Sequence, residues 1–153
     1  MWHGKQIASG IFGTVYDFDG DKVLRKSHDE TDGWRAMMWL SDKDREIFRL
    51  PIIHSYDEDE FSWAVVERLY PVGSGLFQNM GDSDWTRLNN NRVILNRNQD
   101  PRLIELFDTA IALFDYITKE EYPVRELDLH NRNIMQRADG TLVISDPFGQ
   151  LDI

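Results

Sequence analysis

The order of patterns along the chain predicts an α+β protein of two lobes. Three observations carry that reading. The first part alternates with the period of strands around turn signals and a single helical stretch. Tyr70-Pro71-Val72-Gly73-Ser74-Gly75 then has the composition of a linker. The remainder holds one strong amphipathic helix followed by a hairpin. At 153 residues the chain buries one core and is short for two ordinary domains. Both lobes therefore belong to one domain, with an N-terminal lobe over residues 1–69, a hinge or linker over 67–75 and a reduced C-terminal lobe over 76–153.

Residues 5–16 mix β-branched and aromatic side chains around Gly10 and Gly13, and Asp19-Gly20 supplies a tight turn into a short return strand over 22–26. From Thr31 the spacing becomes helical through Trp34, Met37, Met38 and Trp39-Leu40, with Asp32 available as N-cap and Pro51 as the stop. Strands over 52–56 and 61–68 follow. They are joined by Asp57-Glu58-Asp59-Glu60, which reads as a solvated hairpin turn rather than a metal or docking site. Residues 79–100 are polar and asparagine-rich, anchored only by Trp85, Leu88 and the apolar run from Val93 to Leu95. That segment is either a packed insertion with a short helix or a mobile loop. Pro101 suits the first turn of a helix whose Leu103, Leu106, Phe107, Ala110, Leu113, Phe114 and Ile117 form one apolar stripe, and Pro123 ends it. Ile134-Met135 and Leu142-Val143-Ile144 form the closing hairpin, turned by Asp139-Gly140.

Composition narrows the function. With 41% hydrophobic and 29% charged residues, no bilayer-length apolar run and no signal pattern in Met1-Trp2-His3-Gly4, a soluble protein is expected and no membrane partner. The absence of cysteine excludes disulfides, thiol catalysis and Cys-ligated zinc, and fits a reducing cytoplasm. A net charge of −10 without a basic cluster argues against nucleic acid as partner. The four histidines are too dispersed in sequence for a local metal motif.

The pattern that carries chemistry is Asp128-Leu129-His130-Asn131-Arg132-Asn133, then the hairpin, then Asp146. Asn133 stands just before the first hairpin strand and Asp146 just after the second. Antiparallel pairing brings those ends side by side, about 5 Å apart. An amide oxygen and a carboxylate converging on one point are hard ligands of the kind Mg²⁺ prefers. Asp128, on the same loop, is placed to accept a proton from an incoming hydroxyl. Asp and Asn also flank hairpins as ordinary turn residues, so it is the three together, at this spacing, that point to a site.

These residues resemble the protein-kinase signature of a D-x-x-x-x-N catalytic loop followed by a D-F-G metal loop, matched here by Asp128 with Asn133 and in part by Asp146-Pro147-Phe148-Gly149. The wording is most similar to the compact early protein kinases of autographiviruses, and also resembles aminoglycoside and choline kinases. Residues 8–16, Ala8-Ser9-Gly10-Ile11-Phe12-Gly13-Thr14-Val15-Tyr16, resemble the kinase glycine loop with Ala8 in place of its first glycine. Glycines there let backbone N–H groups approach phosphate. The resemblance implies a minimal bilobal protein-kinase-like fold with a truncated C-terminal lobe, ATP and Mg²⁺ as cofactors, and the host bacterial cytoplasm as location. Host bacterial proteins would be phosphorylated on serine or threonine during takeover of the cell.

On the same footing, Ala8, Gly10, Phe12 and Gly13 would cover the phosphates, Val15 the adenine, and the backbone of Glu67 to Leu69 would bind the adenine edge. Asn133 and Asp146 would hold the metal and Asp128 would take the hydroxyl proton. The phosphate-binding cation is Arg25 or Lys26: strand register, with Val23 on the adenine side, favours Arg25, and family chemistry favours Lys26. Its carboxylate partner is Glu30 or Asp32. His130 stands where protein kinases hold a lysine near the γ-phosphate, and either substitutes for it or packs the loop. Seven residues follow Asp146, with no activation loop or peptide-binding platform, so target recognition is expected from residues 77–98 or from a homodimer interface. The competing readings are a small-molecule phosphotransferase of the aminoglycoside-kinase type and a nucleotide- or partner-binding pseudokinase.

Overall fold

Strand alternation decides which side chains of the N-terminal sheet face the rest of the molecule. The structure, a computed structural model, describes residues 3–10 and 13–152. Strands β1 (Gln6–Ser9), β2 (Gly13–Asp19), β3 (Lys22–Ser27), β4 (Ile53–Tyr56) and β5 (Trp63–Glu67) form one antiparallel sheet in the order β1-β2-β3-β5-β4. Gly20, at φ +55°, turns β2 into β3. Arg25 pairs with Val15 on one side and Ala64 on the other, and Val23 pairs with Val66. Paired residues share a face, so Val15, Val23, Arg25, Ala64 and Val66 look the same way. Ala64 and Val66 are buried on that face in the main core, with Val23 packed against it.

The helix expected from Thr31 is two short ones, α1 (Arg35–Trp39) and α2 (Asp42–Ile47). Ser41 accounts for the break: its backbone is extended and its hydroxyl accepts from the Asp44 N–H at 3.2 Å, capping a new helix with Asp42 and Asp44 in the first turn. Arg45, 5% exposed, reaches back to the Met37 and Leu40 carbonyls and closes the gap. Asp32 does not cap α1 directly. It precedes the helix in a turn, accepting from the Trp34 N–H through its side chain at 3.0 Å and from the Arg35 N–H through its carbonyl at 3.0 Å.

The acidic turn behaves as expected, with the Asp57 carboxylate accepting from the N–H groups of Ser62 and Trp63. The linker does not. β6 (Tyr70–Pro71) pairs with β7 (Ile134–Gln136), which pairs with β8 (Leu142–Ile144), so the expected hairpin is a three-stranded sheet. A 3₁₀ turn, Ser74–Phe77, follows β6. The segment over 79–100 is the packed alternative: α3 (Asp82–Asn91) buries Leu88 and sets Trp85 between Phe77 and Phe107. α4 (Pro101–Lys119) has Asp100 as N-cap and buries Leu103, Leu106, Phe107, Ala110, Leu113 and Ile117. Phe114, expected in that stripe, is half-buried with the Arg92 guanidinium over its ring. No described helix is long and apolar enough to cross a membrane. The described residues therefore form an α+β protein with one five-stranded and one three-stranded antiparallel sheet and four α-helices.

Candidate functional site

Asp32, 2% exposed, organises the sheet side of the site. It takes both terminal nitrogens of Arg25 (2.6 and 3.2 Å), the Ser27 hydroxyl (2.7 Å) and the Trp34 N–H. A buried carboxylate held this way is fully compensated, and the forked pair fixes the guanidinium plane. The Trp34 ring lies under that guanidinium, 4.9 Å away. Lys26 faces away, paired with Thr14 and Trp63 on the other side of the sheet, so the register reading of Arg25 describes which cation looks into the site. Glu30 does not supply the carboxylate partner: it is exposed, and Asp32 makes the pair because the turn before α1 carries it inward. Gly13 lies flat against Arg25, where a Cβ would come within 2.7 Å of the guanidinium.

The loop side is built by alternation. Leu127 and Leu129 are buried, so Asp128 between them points outward and is exposed. Residues 126–128 run antiparallel to 147–149: Leu127 bridges Phe148, the Asp128 N–H donates to the Pro147 carbonyl at 2.8 Å, and the Gly149 N–H donates to the Glu126 carbonyl at 3.4 Å. On the other edge, the Asn89 side chain of α3 accepts from the Leu129 N–H at 2.7 Å and donates to the Leu129 carbonyl at 2.8 Å. The Asn133 amide nitrogen donates to the Asp128 carbonyl at 2.7 Å, which leaves its oxygen for another partner. The Asn133 carbonyl accepts from the Ser145 N–H at 2.8 Å, so Asn133 and Asp146 stand at neighbouring ends of β7 and β8.

Asp146 joins the two sides. Its Oδ2 is 4.0 Å from an Arg25 nitrogen. Its Oδ1 is the only buried side-chain polar atom among the described residues with no hydrogen-bond partner. Burial pushes this carboxyl up to about 7, against the pull of Arg25 and with smaller pushes from Asp32 and Asp128. A carboxyl with an orphan oxygen, at a strand end next to the one that carries the Asn133 amide, has the donor chemistry that a hard cation such as Mg²⁺ takes.

The other expected residues are distributed less favourably. Ala8 is exposed and pairs with Val15, and the exposed Gly10 donates to the Gly13 carbonyl at 2.8 Å. Phe12 lies outside the described residues. The Glu67 carboxylate is held by Arg137 at 2.9 to 3.1 Å, and the N–H groups of Glu67 and Arg68 donate to Ile52 and Asp21 carbonyls. Those two hinge N–H groups therefore hold strands together rather than facing a ligand, while Leu69 next to them is half-buried. His130 is a cap: its Nδ1 accepts from the Arg132 N–H at 3.2 Å in the turn Asn131–Asn133, and burial is the main cause of its depressed pKa.

Three contributors were not anticipated in this role. Trp34, expected only as a helix-face residue, donates its indole N–H to the Ser145 carbonyl at 2.9 Å. Gly33 passes so close to residues 148–149 that a Cβ would lie 1.8 Å from the Gly149 carbonyl. Asn89 offered no local signal, because its partner is 40 residues away. Comparison with known proteins finds no family model and no curated protein that matches the chain.

Proposed function

We propose that the chain is a Mg²⁺–ATP-dependent phosphotransferase of the minimal protein-kinase type, acting on serine or threonine hydroxyls of proteins. The observation that carries this reading is the convergence of three distant segments. The Arg25–Asp32 pair of the sheet lies 4.0 Å from Asp146, and Asn133 and Asp128 are hydrogen-bonded to each other and to the strand ends beside it. That protein acceptors are host bacterial proteins rests on the sequence resemblance alone.

Asn133 and Asp146 would hold the metal, which would supply charge neutralisation at the phosphates. Arg25, locked by Asp32 and Trp34, presents a fixed cation to the same phosphates. Asp128 is the exposed carboxylate that orients the acceptor hydroxyl and takes its proton as the oxygen attacks the γ-phosphorus. The bond to the β–γ bridging oxygen breaks and ADP leaves. The rest of the acceleration is positioning.

One observation favours a second reading, a partner-binding module without turnover: the Glu67 and Arg68 N–H groups are already engaged within the protein, which leaves fewer donors for an adenine edge. A single experiment separates the two. Incubated with γ-labelled ATP, Mg²⁺ and a bacterial lysate, the wild type labels protein, and Asp128→Asn lowers the rate about 100-fold or more. In parallel, ATP raises the melting temperature more with Mg²⁺ than with EDTA, and Asp146→Asn removes the difference. A metal-dependent shift without labelling keeps nucleotide binding and removes turnover, no shift and no labelling support the partner-binding module, and equal shifts with and without metal sink the metal assignment.

A further inference from the structure

We infer that Asn89 is a positioning residue for Asp128: α3 sets the catalytic loop from outside the site, through a side chain that acts as a one-residue strand. The inference rests on the phosphotransferase reading for its catalytic half, and on geometry alone for its structural half. In an extended segment successive N–H groups point to opposite edges. The Asp128 N–H takes the edge toward Pro147. The Leu129 N–H and carbonyl take the other edge, where no strand of the described residues pairs. The Asn89 amide fills that place, accepting at 2.7 Å and donating at 2.8 Å.

Asparagine suits this task because its side chain carries the same acceptor and donor as a peptide unit. Its own position is fixed by the helix that bears it. The preceding residue, Leu88, is 1% exposed in the core, and Trp85, one turn earlier, packs edge-on to Phe107 of α4 at 5.7 Å. Leu129 is 2% exposed, so water cannot readily replace the amide if it is removed. Asp128, between two buried leucines and two hydrogen-bonded edges, has one place to be. Without Asn89 one edge is released, and the carboxylate loses its register with Asn133 and Asp146.

The test uses Asn89→Ala and Asn89→Asp, with Asn90→Ala as a control at the exposed neighbouring position. In the protein without ligands, amide hydrogen exchange at Leu129, read by NMR, should accelerate about 10- to 100-fold in Asn89→Ala, the loss expected for an unsatisfied buried group. Leu24, in the far sheet, should not change. Asn89→Asp keeps the acceptor and loses the donor, so Leu129 stays protected there even if the alanine variant folds poorly. In the phosphotransfer assay kcat should fall about 100-fold in Asn89→Ala, as for a displaced reacting group, while KM for ATP stays within about twofold. Unchanged exchange at Leu129 overturns the clamp. Faster exchange with undiminished kcat overturns the positioning role. Faster exchange in a chain whose wild type transfers no phosphate upholds the clamp, and removes the phosphotransferase reading and the catalytic half with it.

Discussion

Among single residues Asp146 is the one the fold treats worst, and that treatment has a measurable sign. Its carboxyl is pushed up to about 7, mainly by burial, whereas an unfolded chain ionises it near 4. Between those values the folded state keeps a proton that the unfolded state has lost, so stability falls as pH rises through the window and the full penalty stands above it. Asp146→Asn should therefore stabilise the metal-free protein at pH 8 and change little at pH 4. With the side chain 35% exposed, solvent screening reduces the gain to about 1 to 2 kcal/mol, or several degrees in melting temperature. Urea unfolding of both proteins at the two pH values checks this. His130, whose own titration is shifted the other way, is common to both and cancels. An equal gain at both values would place the effect in packing rather than charge. At this scale Arg25 was readable from strand alternation beside Val23. Asp32 was not separable from Glu30, because only the turn before α1 sends one inward and leaves the other exposed.

Among elements, α3 departs most from what its composition announces. Its polar, asparagine-rich sequence left open a packed insertion or a mobile loop, and the packed one is found: Leu88 is buried, and Met80, Trp85 and Ile94 pack against the core. Leu88→Ala should cost about 2 to 5 kcal/mol in urea unfolding, as for other buried leucines. Arg87→Ala, at an exposed position one residue away, should stay within about 0.5 kcal/mol. Similar small losses for both would return the segment to a surface role. α4 needed no correction, because a helix with six buried positions on one face, and Phe114 packed half-buried against the same core, declares its period in the chain. The linker needed one. Tyr70-Pro71 reads as a turn locally, and becomes a strand only because β7 offers an edge to pair with.

Across the whole molecule the turn before α1 is tied to the segment after β8 by backbone contacts as well as by side chains. The Leu151 N–H donates to the Thr31 carbonyl at 2.7 Å, the Trp34 indole to the Ser145 carbonyl at 2.9 Å, and Gly33 lies against the Gly149 carbonyl. All three contacts fall on residues 145–151, on either side of Asp146 in the chain, and tie that segment to the turn that carries Asp32, the partner of Arg25. Gly33→Ala places a Cβ where backbone already is, and the obstacle is no flexible side-chain end. It should cost about 3 kcal/mol or more and lower the melting temperature accordingly. Gly73→Ala, with open space around its Cβ and negative φ, is the control and should be nearly neutral. A tolerated Gly33→Ala would show that the two parts of the site are not held by this contact.

The sequence by itself determined what short-range physics encodes. Strand alternation set Arg25 with Val23, and the hairpin brought Asn133 to Asp146. In each case the period of the local element decides the direction of the side chain. Only the tertiary structure decided which distant groups those side chains would meet. Asp32 rather than Glu30 at Arg25, Trp34 at Ser145, Gly33 at Gly149 and Asn89 at Leu129 join residues whose separation in the chain carries no local signal. Such pairs form because packing the core leaves one arrangement in which buried polar groups are satisfied.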